Sequence, residues 1–152
     1  MSITGKLETE TFGLEVFDLD AKEFPQPWTL TQWQELDYRH NRLFTWHSPE
    51  GELVSFTLFG LTEGDDTAHL YKIVTRQEAR GTSATLDFFQ AIIKKLSTEG
   101  FKSIYLEVEV NNKRAVRFYE KVGLKILRLN RRFYSNGEDA LIMSMTLPVE
   151  GI

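Results

Sequence analysis

Residues 102–124, KSIYLEVEVNNKRAVRFYEKVGL, change their hydrophobic period part-way along. In the first half apolar and polar side chains alternate. Ile104, Leu106, Val108 and Val110 fall on one face and Tyr105, Glu107 and Glu109 on the other, as in a strand that buries one side. After the asparagine pair the alternation stops. The segment predicts a short helix over 113–122, with Asn112 able to cap its start and Gly123 to close its end. A strand that passes straight into a helix calls for a layered α/β arrangement, and it raises the question of why the outer strand face carries two glutamates.

The remaining segments fit that frame. Residues 12–23 read as a helix or an irregular stretch, and FPQPW (24–28) as a loop, because its two prolines fix φ and bias the residues before them away from helix. Thr29 is a fair N-cap for a short helix that follows. RLFTWHS and ELVSFTLFGL flank the turn-like triplet PEG and predict a β-hairpin, followed by a strand over 68–75. Leu86, Phe89, Ile93 and Leu96 have helical spacing within 83–99, and Gly100 ends that helix. Strands over about 124–134 and 139–147 would enclose SNGED, a turn with an Asn-Gly signal. The order is β-α-α-β-β-β-α-β-α-β-β, which suggests a mixed α/β sheet. A chain of 152 residues fits one domain, 1–152, without internal repeats or a linker.

Composition narrows the function classes. The chain has no cysteine, which excludes a thiol nucleophile, a disulfide framework and a cysteine zinc site, and suits a reducing cytoplasm, the expected location. His40, His47 and His69 lack metal-ligand spacing and read as surface or packing residues, so no metal is expected. The net charge of −4 gives no electrostatic case for general nucleic-acid binding, although Lys113, Arg114, Arg117 and Lys121 cluster locally, as do Arg128, Arg131 and Arg132. No apolar run approaches the roughly 20 residues needed to span a bilayer, and the first residues do not read as a signal peptide.

Two constellations could carry chemistry. In VTRQEARGTSATLDFF a strand gives way to a polar loop and then, near Thr82, to a helix. Backbone N–H groups at a helix start lack internal partners and favour anions. Arg80, Gly81, Thr82 and Ser83 would add a cation, a permissive backbone and two hydroxyl donors, making either a phosphate cradle or a plain loop and N-cap. The second constellation is the opening stretch. Glu107 is either a general base facing a cleft or part of a solvated strand face. Tyr119 is either a proton donor or a core aromatic. Phe133–Tyr134 could pack the last hairpin or form a peptide-facing rim.

Four segments, FPQPW, LYKIVTRQEARGTSATL, LEVEVNNKRAVRFYEKVGL and RRFYSNGEDALIMSM, together resemble the GNAT acetyltransferases, and within them the bacterial ribosomal-protein-alanine N-acetyltransferases. The specific features are Leu106-Glu107-Val108, Asn112, the run Phe118 to Leu124, Phe133-Tyr134 and Glu138-Asp139-Ala140. The resemblance implies a mostly antiparallel central sheet with helices on both faces, and acetyl-coenzyme A as acetyl donor. It implies that backbone groups around Ile73 and Val74 pair with the pantetheine arm, that Arg80, Gly81, Thr82, Ser83, Ala84 and Thr85 hold the pyrophosphate, and that Asn112 contacts the cofactor. Glu107 would be the general base and Tyr119 the general acid in a direct attack of an amine on the thioester. Trp28, Phe133 and Tyr134 would contact the acceptor, a protein or peptide N-terminus such as that of a ribosomal protein.

The chain departs from the family pattern at Ser83 and Thr85, which replace small residues, and at Glu109, where close relatives often carry arginine. Glu107 and Glu109 would equally suit a small cationic amine or polyamine. The altered loop leaves a non-catalytic binding module as a third reading.

Overall fold

The computed structural model describes residues 5–62 and 64–148. Its strands are β1 (Lys6–Glu10), β2 (Asn41–His47), β3 (Leu53–Leu61), β4 (Thr67–Thr75), β5 (Ser103–Glu109), β6 (Lys125–Asn130) and β7 (Ala140–Thr146). The helices are α1 (Leu14–Glu23), α2 (Leu30–Gln34), α3 (Ala84–Thr98) and α4 (Lys113–Val122). The element order is the one the hydrophobic patterning predicts. The strands form one sheet in the order β1-β2-β3-β4-β5-β7-β6, antiparallel throughout except for the parallel pair β4–β5.

Both sheet faces are covered. On one, Phe88, Phe89, Ile92 and Leu96 of α3 pack with Phe44, Phe59, Leu70, Leu106 and Met143. On the other, Val16 and Leu19 of α1 and Trp33 of α2 pack with Leu43, Phe56, Leu58 and Val74. Full burial of one such side chain is worth about 1.5–3 kcal/mol. β5 sends Ile104, Leu106 and Val108 into the first core, so Tyr105, Glu107 and Glu109 face the α1–α2 side.

The feature that positions the site is an incomplete pairing. β4 and β5 run in register only from Thr67↔Ser103 to Leu70↔Leu106. Beyond that β4 continues beside β3 to Thr75 and β5 continues beside β7 to Glu109. The register with β3 also shifts here. Phe59 pairs with Leu70 and Leu58 with Lys72, which leaves Tyr71 as the extra residue of a bulge. A wedge therefore opens between the two central strands.

Some boundaries differ from expectation. The strand expected over 124–134 ends at Asn130. Arg132 takes a positive φ of 52° and its N–H bonds Asp139 Oδ1, turning the chain out of the sheet, so Phe133 and Tyr134 lie in the connection between β6 and β7. Helix α3 begins at Ala84 rather than near Thr82, because Thr82 Oγ1 accepts the Ala84 N–H and bonds back to the Ala79 carbonyl, holding the preceding residues in a turn.

Candidate active site

Helix α4 is fixed at both ends, and that fixes Tyr119. Asn112 Oδ1 accepts from the Ala115 N–H at 3.2 Å, as the sequence suggests. At the other end Gly123 sits at φ 117°, the Leu124 N–H bonds the Tyr119 carbonyl and the Gly123 N–H bonds that of Glu120, forming a Schellman cap. Tyr119 is thus anchored through its own carbonyl, and its ring lines the wedge while being 8% exposed. Burial, then the neighbouring Tyr134 phenol, pushes the Tyr119 hydroxyl well above the ordinary tyrosine range, so it holds its proton at neutral pH.

The wedge widens into a cleft of about 1180 Å³. Ile73, Val74, Arg80, Gly81, Thr82, Ser83, Thr85, Glu107, Asn112, Tyr119, Trp28, Phe133 and Tyr134 all line it. Ala84 does not. Its side chain is buried in the core under α3, and its N–H is taken by Thr82.

The loop before α3 is an anion cradle in its backbone more than in its side chains. Among the described residues the N–H groups of Gly81, Ser83, Thr85 and Leu86 bond nothing else in the chain. Gly81 adopts φ 80°, a conformation that strains any residue with a Cβ. The expected hydroxyl donors are turned inward. Thr82 Oγ1 donates to the Ala79 carbonyl and Ser83 Oγ to Asp87 Oδ2. Thr85 Oγ1 meets Thr75 Oγ1 at 2.9 Å, and Thr75 in turn meets Ser55, so its bulk ties α3 to β4. Arg80 is paired with Glu23 at 2.6 Å, so its charge is shared with a carboxylate.

On the α1–α2 side, Glu107 does not stand alone. His69 Nε2 lies 2.6 Å from Glu107 Oε2, and the His69 ring stacks on Tyr105 with centroids 4.1 Å apart. By its spacing alone His69 reads as a surface or packing residue. The parallel register sets it opposite Tyr105 and so on the same face as Glu107. Tyr134 also belongs to this group. Its hydroxyl is pushed up by burial and then by the charges of Glu107 and Glu109.

Below this face lies a buried ion pair that sequence reading missed. Lys72 Nζ donates to both Asp20 oxygens at 2.9 and 3.0 Å, while Asp20 Oδ2 also accepts from the Trp28 N–H and from Trp33 Nε1. The Lys72 ammonium sits 4.4 Å from the Phe24 ring and 4.7 Å from the Trp28 ring. Burial lowers its pKa from the usual lysine value, and Asp20 opposes the shift without cancelling it. The pair fastens the 24–28 loop, one wall of the cleft, to β4. Among the described residues, no group of three or more His, Asp or Glu side chains is placed to hold a metal ion.

The pattern of the acetyltransferase (GNAT) family matches residues 13–124. The chain belongs to the GNAT acetyltransferase family. A Bacillus subtilis protein provisionally named ribosomal-protein-bS18-alanine N-acetyltransferase is 28% identical over 137 residues, covering 87% of each chain. The crystal structure of the Escherichia coli ribosomal-protein-S18-alanine N-acetyltransferase superposes with a TM-score of 0.80 over 97% of this chain and 99% of that one, at 18% identity. The spermidine/spermine N-acetyltransferase SpeG from Vibrio cholerae superposes with a TM-score of 0.76 over 93% and 92%, at 20% identity. At those identities the structural likenesses establish the GNAT fold alone. GNAT acetyltransferases use acetyl-coenzyme A. In this one the unpaired edges of β4 and β5 and the free N–H groups at α3 suit a molecule that carries amides at one end and phosphates at the other.

Proposed function

We propose that this GNAT acetyltransferase, folded as a single domain over 1–152, transfers acetyl from acetyl-coenzyme A to the α-amine of a protein N-terminus, with a ribosomal protein as a candidate acceptor in the cytoplasm. The observation that carries the reading is the wedge itself, with a hydrogen-bonded glutamate on the β5 side and a buried, protonated tyrosine of α4 on another wall. The pyrophosphate would rest on the N–H groups of Gly81, Ser83, Thr85 and Leu86, and the pantetheine arm along Ile73 and Val74. Bound acetyl-coenzyme A supplies an activated thioester. Glu107 accepts the proton of the attacking amine, directly or through water, and His69 holds its carboxylate in place. Tyr119 donates a hydrogen bond to the departing sulfur. Because its pKa lies above that of a thiol, about 8.5, stabilisation of the thiolate is favoured over complete proton transfer.

Protonation favours an α-amine. Its pKa of about 7.7–8.0 leaves roughly a third neutral near pH 7.5, against about 0.1% of a lysine side chain. Phe133 and Tyr134 on one side and the 24–28 loop on the other leave room for a peptide's first residues. A small polyamine remains the second reading, favoured by Glu107 and Glu109 on one strand face. Mass spectrometry of peptides incubated with enzyme and acetyl-coenzyme A decides between them. Acetylation confined to free N-termini supports the proposal, and acetylation confined to lysine ε-amines or free polyamines overturns it.

A further inference from the structure

Gly60 sits inside β3, a strand whose other residues from Leu53 to Phe59 are all buried. Glycine in a strand interior weakens it and often marks a close approach by another group. Here that group is Tyr71. A Cβ added to Gly60 would lie 2.4 Å from Tyr71 Cε2 and from its Oη, so the hydroxyl end of the tyrosine ring lies against the Gly60 backbone. Tyr71 is the extra residue of the β4 bulge and has no partner in β3. It is nevertheless 49% exposed and lines the cleft. The centroid of its ring is 4.4 Å from that of His69, which stacks on Tyr105 and bonds Glu107. Tyr71, His69 and Tyr105 thus make one aromatic surface that ends at the proposed base. A tyrosine that served packing alone would not need a glycine beneath it and an open face above.

We infer that Tyr71 is a specificity-determining platform on which the acceptor lays the side chain next to its reacting amine, and that Gly60 exists to make room for the ring. The inference rests on the N-terminal acetyltransferase reading and names its substrate class. An electron-rich ring that is linked to Glu107 through His69, in a cleft also lined by Glu109, recognises a cation, so the structure assigns acceptors with arginine or lysine in the residue after the N-terminal one.

The test uses the intact protein and peptides that share one N-terminal residue and carry Arg, Lys, Ala or Glu in second place. The wild type is expected to prefer Arg and Lys over Ala by about threefold or more in kcat/KM, and over Glu by a wider margin. Tyr71→Ala should erase the preference over Ala, Tyr71→Phe should keep it, and the KM for acetyl-coenzyme A should not move. Gly60→Ala lies outside the cleft yet should act like Tyr71→Ala, because its methyl lifts the ring. If Gly60→Ala fails to fold, the contrast between Tyr71→Ala and Tyr71→Phe still decides. A preference profile unchanged by Tyr71→Ala overturns the inference. If only diamines are acetylated, the α-amine reading fails separately. The platform is then supported by a raised diamine KM in Tyr71→Ala and overturned by an unchanged one.

Discussion

His69 and Glu107 meet across the last rungs of the β4–β5 ladder, His69 Nε2 at 2.6 Å from Glu107 Oε2, at the point where the two strands begin to part. The β4–β5 ladder fixes the His69 backbone, pairing with β7 fixes that of Glu107, and Tyr105 under the imidazole fixes its tilt. Glu107→Gln should slow acetylation by about 10²–10⁴-fold, most severely at low pH, where removal of the amine's proton limits the rate, and less above the amine pKa. His69→Ala should cost less than Glu107→Gln, because the carboxylate stays but loses its tether. Pre-steady-state rates across pH 6–9 on both variants check this. A His69→Ala rate equal to wild type would make the contact incidental.

Tyr119→Phe should lower kcat by about 10²-fold or more while leaving the KM for acetyl-coenzyme A near wild type, since the ring still packs. A second readout is alkaline stability. The unfolded chain ionises this phenol from about pH 10 upward, whereas burial keeps it protonated in the folded state. Its contribution to stability is therefore complete below about pH 10 and is lost as the pH climbs toward the folded value. Denaturant melts at pH 8 and 11 should show a smaller loss for Tyr119→Phe than for wild type.

Lys72→Met should destabilise the protein by about 3–5 kcal/mol, because Asp20 is left as a fully buried charge. Asp20→Asn should be costly for the converse reason, whereas Lys72→Met combined with Asp20→Asn should recover much of the loss. Urea unfolding of the three variants gives the coupling. Additive single effects would mean that the two groups do not act as a pair.

Glu23→Gln should tighten acetyl-coenzyme A binding roughly two- to fivefold, by freeing Arg80 from a competing ion pair of the strength usual near a surface. Calorimetry with coenzyme A measures it, and unchanged or weaker affinity would show that the Arg80–Glu23 pair persists when the cleft is filled.

Much of this architecture was legible in the residues. The change of period at Asn111–Asn112 predicts β5 and α4, Asn112 and Gly123 predict both caps, and the family segments point to the cleft walls. What was not legible depends on registers that one strand cannot reveal. His69 reads as a lone histidine until β4 is set beside β5, and Tyr71 as one more aromatic until the bulge leaves it opposite nothing. Alternation sets Lys72 in line with Ala68, Leu70 and Val74, and only the docking of α1 brings Asp20 to it. Arg80 reads as the cation of the cradle from the residues themselves, and Ala84 as a pyrophosphate contact from the resemblance alone. The partner of one and the burial of the other follow from the helix packing.

The shortened ladder between β4 and β5 also has a mechanical meaning. Seven strands form the sheet, yet its two halves are riveted at only four rungs, Thr67↔Ser103 to Leu70↔Leu106, and gape beyond them. Such a sheet is two strand groups that share little backbone ladder and are otherwise held together by the core under α3. A slender molecule bonded to both open edges would act as a brace, and its binding energy would appear as rigidity of the whole protein. Melting temperature should climb with the logarithm of coenzyme A concentration. Amide exchange should slow along 71–74 and 107–109, far from the adenine end of the ligand, so that the substrate completes the scaffold on which it reacts.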